Sequence, residues 1–320
     1  MPTIKFFTDD PPEIVDLIVQ HAPAGFEVSV HADSLPDAEK VIIVQDADFL
    51  MLTGRSVPDE ALRSARKLKL IQLISAGYNH MNLPLCQALG IAVANNGGTN
   101  AIDVAEHTIA LILSVYCKLR ENDQLVRTNQ WNPGHFSRST YTINGRTVGI
   151  IGMGEIGQRV AHLLGSFGCQ LLYHDLVPLS VGQEETLSVT RVPLPDLLQQ
   201  ADIVTLHTSL TDESRSLISH DELALMKPTA LLVNTCRGPV VDEAALIDAL
   251  THKRILGVAL DVLVEEPPAP DNPILQMENV LLSPHCAGNS YDTWSRRGKF
   301  MLENIERVWN GQSPLAVVNG

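Results

Sequence analysis

The chain has 320 residues, of which 45% are hydrophobic, so it holds enough apolar material for one large or two medium-sized cores. Its formal net charge of −14 disfavours nucleic acid or an anionic membrane as a partner, because both would repel it. The five cysteines are odd in number and include no CxxC pair, which argues against a disulfide framework or a metal site.

The ends and apolar runs of the chain predict a soluble protein of the reducing cytoplasm. The first residues, MPTIKFFTDD, lack a cationic segment followed by an apolar stretch, so we expect no signal peptide. The longest apolar runs, such as IALILSV at 109–115, are much shorter than the roughly 20 residues that span a bilayer.

Short β-branched runs alternate with helical patterns along most of the chain. A first series of predicted strands covers 3–7, 27–31, 49–52, 68–74 and 91–94. A second series covers 147–152, 170–174, 202–207, 230–235, 256–260 and 280–283. Nearly continuous apolar strands separated by helices are typical of parallel sheets covered on both faces. Two such series predict an α/β protein with two doubly wound parallel-sheet domains.

The boundary between the two series falls at NNGGTN, residues 95–100. Adjacent glycines stop the preceding strand there, and Thr99 or Asn100 can cap the helix that follows. From Ala101 to about Asn122 the pattern predicts one unusually long helix.

A GxGxxG pattern lies in the stretch RTVGIIGMGEIGQRVA, between a buried strand and an amphipathic helix. Gly152 allows the tight turn, Gly154 lets a pyrophosphate approach the backbone, and Gly157 lets helix and strand pack closely. The amides of Glu155 and Ile156, at the start of the helix, would bind the phosphates. The pattern therefore predicts a dinucleotide site, and the alternative of an ordinary glycine turn is less favoured.

Asp175 ends the next predicted strand, where its carboxylate can accept hydrogen bonds from the adenosine ribose. Its charge would repel a 2′-phosphate, and no arginine follows it in DLVPLS. The sequence therefore favours NAD over NADP as the cofactor.

Three further strands are each followed by polar side chains: Arg237, then Asp261 with Glu265 and Glu266, then His285. Singly, these are most simply a salt-bridged arginine, solvated carboxylates and a turn histidine. In open α/β sheets, however, ligands bind beyond the carboxyl ends of strands, so all of them can face the crevice that holds the cofactor.

One arginine, one carboxylate and one histidine together suit hydride transfer to or from an oxo acid. Arg237 would hold the substrate carboxylate and polarise the carbonyl with its planar fork of donors. His285 would supply the proton on reduction and remove it on oxidation. Glu266 would pair with the other ring nitrogen and orient the imidazole.

With these segments the chain resembles the NAD-dependent D-isomer-specific 2-hydroxyacid dehydrogenases over nearly its whole length. GIIGMGEIGQRVA is similar to the family's cofactor fingerprint, LMKPTALLVNTCRGPVVDEAALIDAL to its arginine signature, and ALDVLVEEPP with NVLLSPHCAG to its Glu and His segments. The resemblance implies catalytic Arg237, Glu266 and His285. It favours Glu266 over Glu265, because Glu266 directly precedes a proline.

The resemblance also implies how the domains are arranged. It implies a Rossmann NAD-binding domain, residues 101–285, inserted in a flavodoxin-like substrate (catalytic) domain formed by residues 1–100 and 286–320, with the catalytic crevice between the domains. A homodimer is expected from the family.

Further contacts follow from the same resemblance. Asp261 would hydrogen-bond the nicotinamide carboxamide, with Thr235, Cys236 and Gly288 nearby. Thr208 in LHTSL matches a cofactor-contact position, although Ser209 replaces the usual proline.

Backbone amides of the turn formed by Ser75, Ala76 and Gly77 would bind the substrate carboxylate, according to the resemblance. The following Tyr78-Asn79-His80 departs from the commoner pattern of the family, which leaves the choice of substrate open.

The phosphoglycerate branch of the family needs basic residues to hold a phosphate, but this chain has Leu52 and the WNPGH segment at 131–135 where we would look for them. We therefore expect a small, non-phosphorylated substrate of the glyoxylate, hydroxypyruvate or pyruvate class. Phosphoglycerate dehydrogenase activity and a dinucleotide-sensing, co-repressor-like binding role are the alternatives.

Overall fold

We use a computed structural model of the chain and describe residues 1–54 and 56–320. The chain divides into two compact units, residues 1–100 with 289–320, and residues 101–288. Each unit is built on one parallel β-sheet with helices between its strands. The predicted fold class, two doubly wound parallel-sheet domains, is therefore confirmed, whereas the assignment of substrate binding to the first unit stays a prediction.

The first unit contains a five-stranded sheet with the order β2-β1-β3-β4-β5, which is the order of flavodoxin-like folds. Its strands are β1 (Thr3–Phe7), β2 (Glu27–His31), β3 (Phe49–Leu52), β4 (Leu70–Leu73) and β5 (Ala92–Ala94). The helices that connect them are α1 (Pro12–Val19), α2 (Asp37–Val44), α3 (Asp59–Ser64) and α4 (Leu83–Ala88).

The second unit contains a seven-stranded parallel sheet. Its helices are α5 (Ala101–Tyr116), α6 (Leu119–Arg127), α7 (Glu155–Ser166), α8 (Val181–Leu187), α9 (Leu194–Gln200), α10 (His220–Leu225) and α11 (Glu243–Thr251). Its strands are β6 (Thr147–Ile151), β7 (Gln170–His174), β8 (Val189–Arg191), β9 (Ile203–Leu206), β10 (Leu231–Asn234), β11 (Gly257–Leu260) and β12 (Val280–Leu282). The chain then returns to the first unit in α12 (Tyr291–Trp309).

The strand order of the second sheet, β12-β11-β10-β9-β6-β7-β8, places a topological switch point at its centre. The chain moves outward from β6 in one direction through β7 and β8, and in the other direction through β9 to β12. Doubly wound sheets bind ligands beyond the carboxyl ends of the strands at this point. The loop after β6 is therefore where the fold itself predicts a cofactor.

Two hydrophobic clusters cover the two faces of this sheet. In β10, Leu231 and Val233 belong to one cluster and Leu232 to the other, and all three are fully buried. Because side chains alternate between the faces of a strand, a sheet that is covered on both sides requires a continuous apolar run.

The prediction of one long helix over residues 101–122 is wrong in its last turns. Helix α5 ends at Tyr116, Lys118 has a left-handed φ of 52°, and α6 begins separately at Leu119. None of the residues of α6 is buried, so the buried apolar face of α5 does not continue into α6, and packing does not keep the two helices collinear. Within residues 1–54 and 56–320, no helix is long and apolar enough to cross a membrane.

Candidate active site

The loop after β6 carries the predicted dinucleotide-binding glycines. Gly152 has a φ of +92°, and a Cβ at this position would collide with the backbone of His207. A Cβ on Gly157 would collide with the carbonyl oxygen of Gly152, so this glycine lets α7 begin close against the loop. At Gly154, by contrast, a Cβ would have nothing within 4 Å. The loop therefore combines tight internal packing with one open stretch of backbone, which suits a bound pyrophosphate.

Helix α7 begins directly after this open position. The amides of Glu155 and Ile156 donate to none of the residues that the structure describes, as is normal in the first turn of a helix. Such amides, together with the helix dipole, favour an anionic ligand. Their predicted role in phosphate binding fits this geometry and stays a prediction.

Asp175 follows β7, and two backbone amides fix its side chain. One carboxylate oxygen accepts a hydrogen bond from the amide of Met153 at 2.6 Å, and the other accepts one from the amide of Val177 at 2.9 Å. Asp175 therefore ties the glycine-rich loop to the end of β7. Each oxygen can still accept a second hydrogen bond, so the predicted contact with the ribose hydroxyls is compatible with these two.

A guanidinium group that no sequence motif indicates lies beside Asp175. Arg191, the last residue of β8, donates from Nη2 to the carbonyl oxygen of Asp175 at 2.9 Å. The pairing of β7 with β8, which sets Tyr173 opposite Arg191, brings the two residues together. Since β8 has only three residues and one buried side chain, it shows no strand pattern and has no counterpart among the predicted strands.

A half-buried histidine and a predicted cofactor contact follow β9, next to the glycine-rich loop. Nε2 of His207 lies 2.9 Å from the hydroxyl oxygen of Thr205, and burial lowers the pKa of His207 to about 3. This imidazole therefore stays neutral across the pH range in which most enzymes work. Thr208 has its hydroxyl oxygen 3.9 Å from the sulfur of Cys236, and burial raises the pKa of that thiol.

The strands β10, β11 and β12 are parallel neighbours, so their carboxyl ends lie at one edge of the sheet. Arg237 follows β10, Asp261 follows β11 and His285 follows β12. This arrangement delivers three side chains of different chemistry to neighbouring loops.

His285 and Glu266 form a direct pair. Nδ1 of His285 lies 2.7 Å from Oε2 of Glu266, and Oε1 of Glu266 accepts a hydrogen bond from the amide of Leu263 at 3.0 Å. An ionised carboxylate can only accept, so the geometry requires Nδ1 to carry the hydrogen. Nε2 is then the nitrogen left for a substrate. The side chains are 47% and 37% exposed, respectively, so solvent can reach the pair.

Asp261 organises the loop on which His285 lies. Its carboxylate is only 1% exposed. Three loop groups donate to it: the hydroxyl of Ser283 at 2.5 Å and the amides of Cys286 at 3.0 Å and Ala287 at 2.8 Å. The amide of His285 also donates to the carbonyl oxygen of Asp261, at 2.7 Å.

This support matters because His285 has a φ of 52°, in the left-handed region. Such a conformation costs roughly 1–3 kcal/mol at a residue with a side chain. The hydrogen bonds to Asp261 offset that cost and hold the turn that places the imidazole beside Glu266.

Helix α5 adds two side chains that no motif indicates. Nε2 of His107 lies 3.1 Å from the hydroxyl oxygen of Ser283 and 3.6 Å from Oδ1 of Asp261. The hydroxyl of Thr108 lies 3.1 Å from that of Thr235, one of the predicted cofactor contacts. Helix α5 therefore braces both the histidine loop and the end of β10.

The ligand atoms of His107, Asp261 and Cys286 lie within 4.8 Å of one another, an arrangement that could hold a metal ion. However, three donors already satisfy Asp261. Burial and the nearby charge of Asp261 raise the pKa of the Cys286 thiol, which disfavours the thiolate that a metal needs. We therefore interpret this group as structural.

Arg237 is linked to the Glu266 loop through its backbone. Its neighbour Gly238 lies so close to Leu263 that a Cβ would collide with the Leu263 carbonyl group. The guanidinium of Arg237 donates to the carbonyl oxygen of Cys236 at 2.6 Å, and within the described parts of the chain it makes no hydrogen bond to the histidine–glutamate pair. The three predicted catalytic residues thus comprise a bonded pair and an arginine on an adjoining loop.

The predicted carboxylate-binding turn, Ser75–Gly77, lies in the first unit, shortly after β4. The Ser75 hydroxyl donates to the Gly77 carbonyl at 2.6 Å, and the side chain of Asn95 donates to the carbonyl of Ala76 at 3.0 Å. The amides of the turn donate to none of residues 1–54 and 56–320. Unpaired amides in such a turn suit an anionic group.

A glycine-rich loop at the switch point of a parallel sheet, together with a histidine–glutamate pair at the same edge, is typical of a nicotinamide-dependent dehydrogenase. The sequence model of the D-isomer specific 2-hydroxyacid dehydrogenase NAD-binding domain matches residues 109–287. The chain belongs to the D-isomer-specific 2-hydroxyacid dehydrogenase family. It is an NAD-dependent oxidoreductase, and the prediction of NAD as its cofactor is confirmed.

Known relatives span both units. The chain is 38% identical to a glyoxylate reductase of Korarchaeum cryptofilum, over 92% of this chain and 90% of that protein. It is 33% identical to a D-3-phosphoglycerate dehydrogenase of Methanocaldococcus jannaschii, over 92% of this chain but only 55% of that protein. A crystal structure of a Thermus thermophilus protein superposes with a TM-score of 0.85, at 32% identity and over 99% of both chains.

Replacing Gly238 by Ala should separate the Arg237 loop from the Glu266 loop, because the new methyl group has no room against the Leu263 backbone. We expect a loss of stability of about 1–3 kcal/mol, measured by urea unfolding, and a lower kcat. Gly165→Ala in α7 is the matched control, since a Cβ there has nothing within 4 Å. Equal behaviour of the two variants would show that the close contact has no effect.

Replacing Asp261 by Asn leaves a buried amide where one oxygen must serve three donors. We expect a lower kcat and a loss of about 1–3 kcal/mol of unfolding free energy, because amides of the histidine loop lose acceptors. NADH affinity, followed by fluorescence, should change less than kcat if the main role of Asp261 is to position the loop. Asp248→Asn, on α11 and paired with Arg254, provides the control. A variant that loses NADH affinity but keeps its kcat would instead favour the predicted nicotinamide contact.

Proposed function

We propose that this protein uses NADH to reduce a small, non-phosphorylated 2-oxo acid to the D-2-hydroxy acid, and that it catalyses the reverse oxidation with NAD. The observation that carries the proposal is the 2.7 Å contact between Nδ1 of His285 and Oε2 of Glu266. It supports a histidine held in one orientation with one nitrogen reserved for substrate.

Each catalytic residue has a distinct task in this proposal. NADH, held by the glycine-rich loop and Asp175, would supply a hydride for the carbonyl carbon of the substrate. His285 gives the proton on Nε2 to the carbonyl oxygen, and Glu266 stabilises the positive charge that the imidazole carries before this transfer. Arg237 exchanges its bond to the Cys236 carbonyl for a bidentate contact with the substrate carboxylate.

Further contacts belong to the same proposal. The amides of Ser75, Ala76 and Gly77 bind the substrate carboxylate. The glycine-rich loop and Asp175 hold the pyrophosphate and ribose. The residues proposed to contact the nicotinamide half of the cofactor are Thr208, Thr235, Cys236, Asp261 and Gly288.

The substrate class is inferred from charge and from the relatives. At the positions where a substrate phosphate would need cations, Leu52 is 2% exposed and lies within β3, and the exposed segment 131–135 has neither lysine nor arginine. Two further relatives, 34–36% identical, also carry the name glyoxylate reductase. We therefore favour glyoxylate or hydroxypyruvate, and place 3-phosphohydroxypyruvate second.

We also propose that the protein works in the cytoplasm and forms a homodimer. All five cysteines are free thiols, which suits a reducing compartment. Light scattering at several protein concentrations tests the dimer.

A panel of 2-oxo acids with NADH tests the proposed function. We expect kcat/KM to be highest for glyoxylate, hydroxypyruvate or pyruvate. A clear preference for 3-phosphohydroxypyruvate would contradict the substrate class. Absence of NADH oxidation with every acid, despite measurable NADH binding, would instead favour the dinucleotide-sensing role.

The roles of His285 and Glu266 can be separated by pH. His285→Ala should lower kcat by about 10²–10⁴-fold while NADH binding is kept. In Glu266→Gln, reduction should fall off at a lower pH than in the wild type, because the protonated imidazole loses its negative partner and gives up its proton more readily. Glu265→Gln, one position away and also exposed, should leave the pH profile unchanged. Identical profiles for Glu266→Gln and the wild type would contradict the assignment.

A further inference from the structure

The coenzyme preference predicted from Asp175 does not take into account Arg191. Its guanidinium donates to the Asp175 carbonyl at 2.9 Å, so a positive charge lies beside the residue proposed to hold the adenosine ribose. The Arg191 side chain is exposed and forms no ion pair within residues 1–54 and 56–320. It therefore has donors left for a ligand, since a guanidinium carries five N–H groups.

The negative charge of the Asp175 carboxylate is partly neutralised by hydrogen bonds from the backbone. Both carboxylate oxygens of Asp175 already accept backbone amides, from Met153 and Val177. Hydrogen bonds to a carboxylate spread its charge over their donors and hold it in one direction. A phosphate on the ribose 2′-oxygen would thus meet one fixed carboxylate and one exposed guanidinium, rather than a carboxylate alone.

The surroundings also leave space for the extra group. Leu176 is 84% exposed and Val177 is 73% exposed, directly after Asp175. The two side chains that directly follow Asp175 therefore do not pack over this part of the loop, which leaves room for a 2′-phosphate beside them.

We propose that Arg191 is the residue that sets coenzyme preference: its guanidinium binds the 2′-phosphate of NADP(H), so that this enzyme binds NADP(H) as well as NAD(H). A planar guanidinium makes paired hydrogen bonds with phosphate oxygens, which a main-chain carbonyl cannot match. The proposal rests on the NAD-binding role of the second unit and does not depend on which oxo acid is reduced.

Binding of coenzyme fragments tests the proposal without turnover. Isothermal titration would compare ADP-ribose with 2′-phospho-ADP-ribose on the wild type, Arg191→Gln, Asp175→Asn and the double variant. We expect Arg191→Gln to lower the affinity for 2′-phospho-ADP-ribose roughly tenfold, because a charged hydrogen-bonding pair is lost. The affinity for ADP-ribose should not change. Asp175→Asn keeps an acceptor oxygen but removes the charge, so 2′-phospho-ADP-ribose should bind more tightly, and the double variant should lose that gain.

Two further variants separate a specific contact from a general effect of charge or folding. Arg191→Lys keeps the charge without the planar fork, so its affinity for 2′-phospho-ADP-ribose should lie between those of wild type and Arg191→Gln. Arg254→Gln removes a cation before β11, which is five places from β8 in the strand order, and should leave the binding of both ligands unchanged.

Three results would overturn the proposal. The first is an equal loss of affinity for both ligands in Arg191→Gln, which would indicate a structural role for the arginine. The second is a gain in Asp175→Asn that survives the removal of Arg191. The third is the absence of 2′-phospho-ADP-ribose binding in the wild type. Because no oxo acid is present in these titrations, none of these results depends on which oxo acid the enzyme reduces.

Discussion

The proposed chemistry depends on one buried carboxylate. Asp261 is almost completely shielded from solvent, and it avoids the large cost of an unpaired buried charge because its oxygens accept from Ser283, Cys286 and Ala287. These hydrogen bonds fix a turn in which His285 takes a left-handed backbone conformation. Without that turn, nothing at the end of β12 would direct the imidazole of His285 towards Glu266.

The parallel sheet supplies the other part of the geometry. Because β10, β11 and β12 run side by side in one direction, loops distant in sequence lie next to one another. The loops that carry Arg237 and Glu266 are packed so closely at Gly238 and Leu263 that a side chain on Gly238 would not fit. Helix α5 supports the same loops from one side through His107 and Thr108. Rigid elements therefore position groups that all come from loops, an arrangement that suits catalysis.

The sequence predicts the regular parts of the fold well, for a physical reason. Strands buried on both faces require unbroken apolar runs, and most of the strands have them. The short edge strand β8 has one buried side chain and no such run. The break between α5 and α6 falls at Lys118, which has a left-handed φ, and no residue of α6 is buried, so the helical pattern alone does not predict where α5 ends. Arg191 could not be predicted beside Asp175, since only the pairing of β7 with β8 brings the two together.

The candidate site divides in the same way. The positions of Arg237, Asp261 and His285 follow from where three strands end. The choice of Glu266 over Glu265 rests on the family resemblance, in which the matching carboxylate directly precedes a proline. The role of Asp261 in the histidine loop, by contrast, depends on hydrogen bonds that its sequence neighbours do not suggest.

A crystal structure with NAD and oxamate, an unreactive analogue of a 2-oxo acid, tests the central claim most directly. The account predicts that Nε2 of His285 and the guanidinium of Arg237 both lie within hydrogen-bonding distance of the analogue. Nδ1 of His285 should still contact Glu266, and Asp261 should still accept hydrogen bonds from the histidine loop. An analogue that contacts neither side chain, or an Arg237 still bound only to the Cys236 carbonyl, would contradict it.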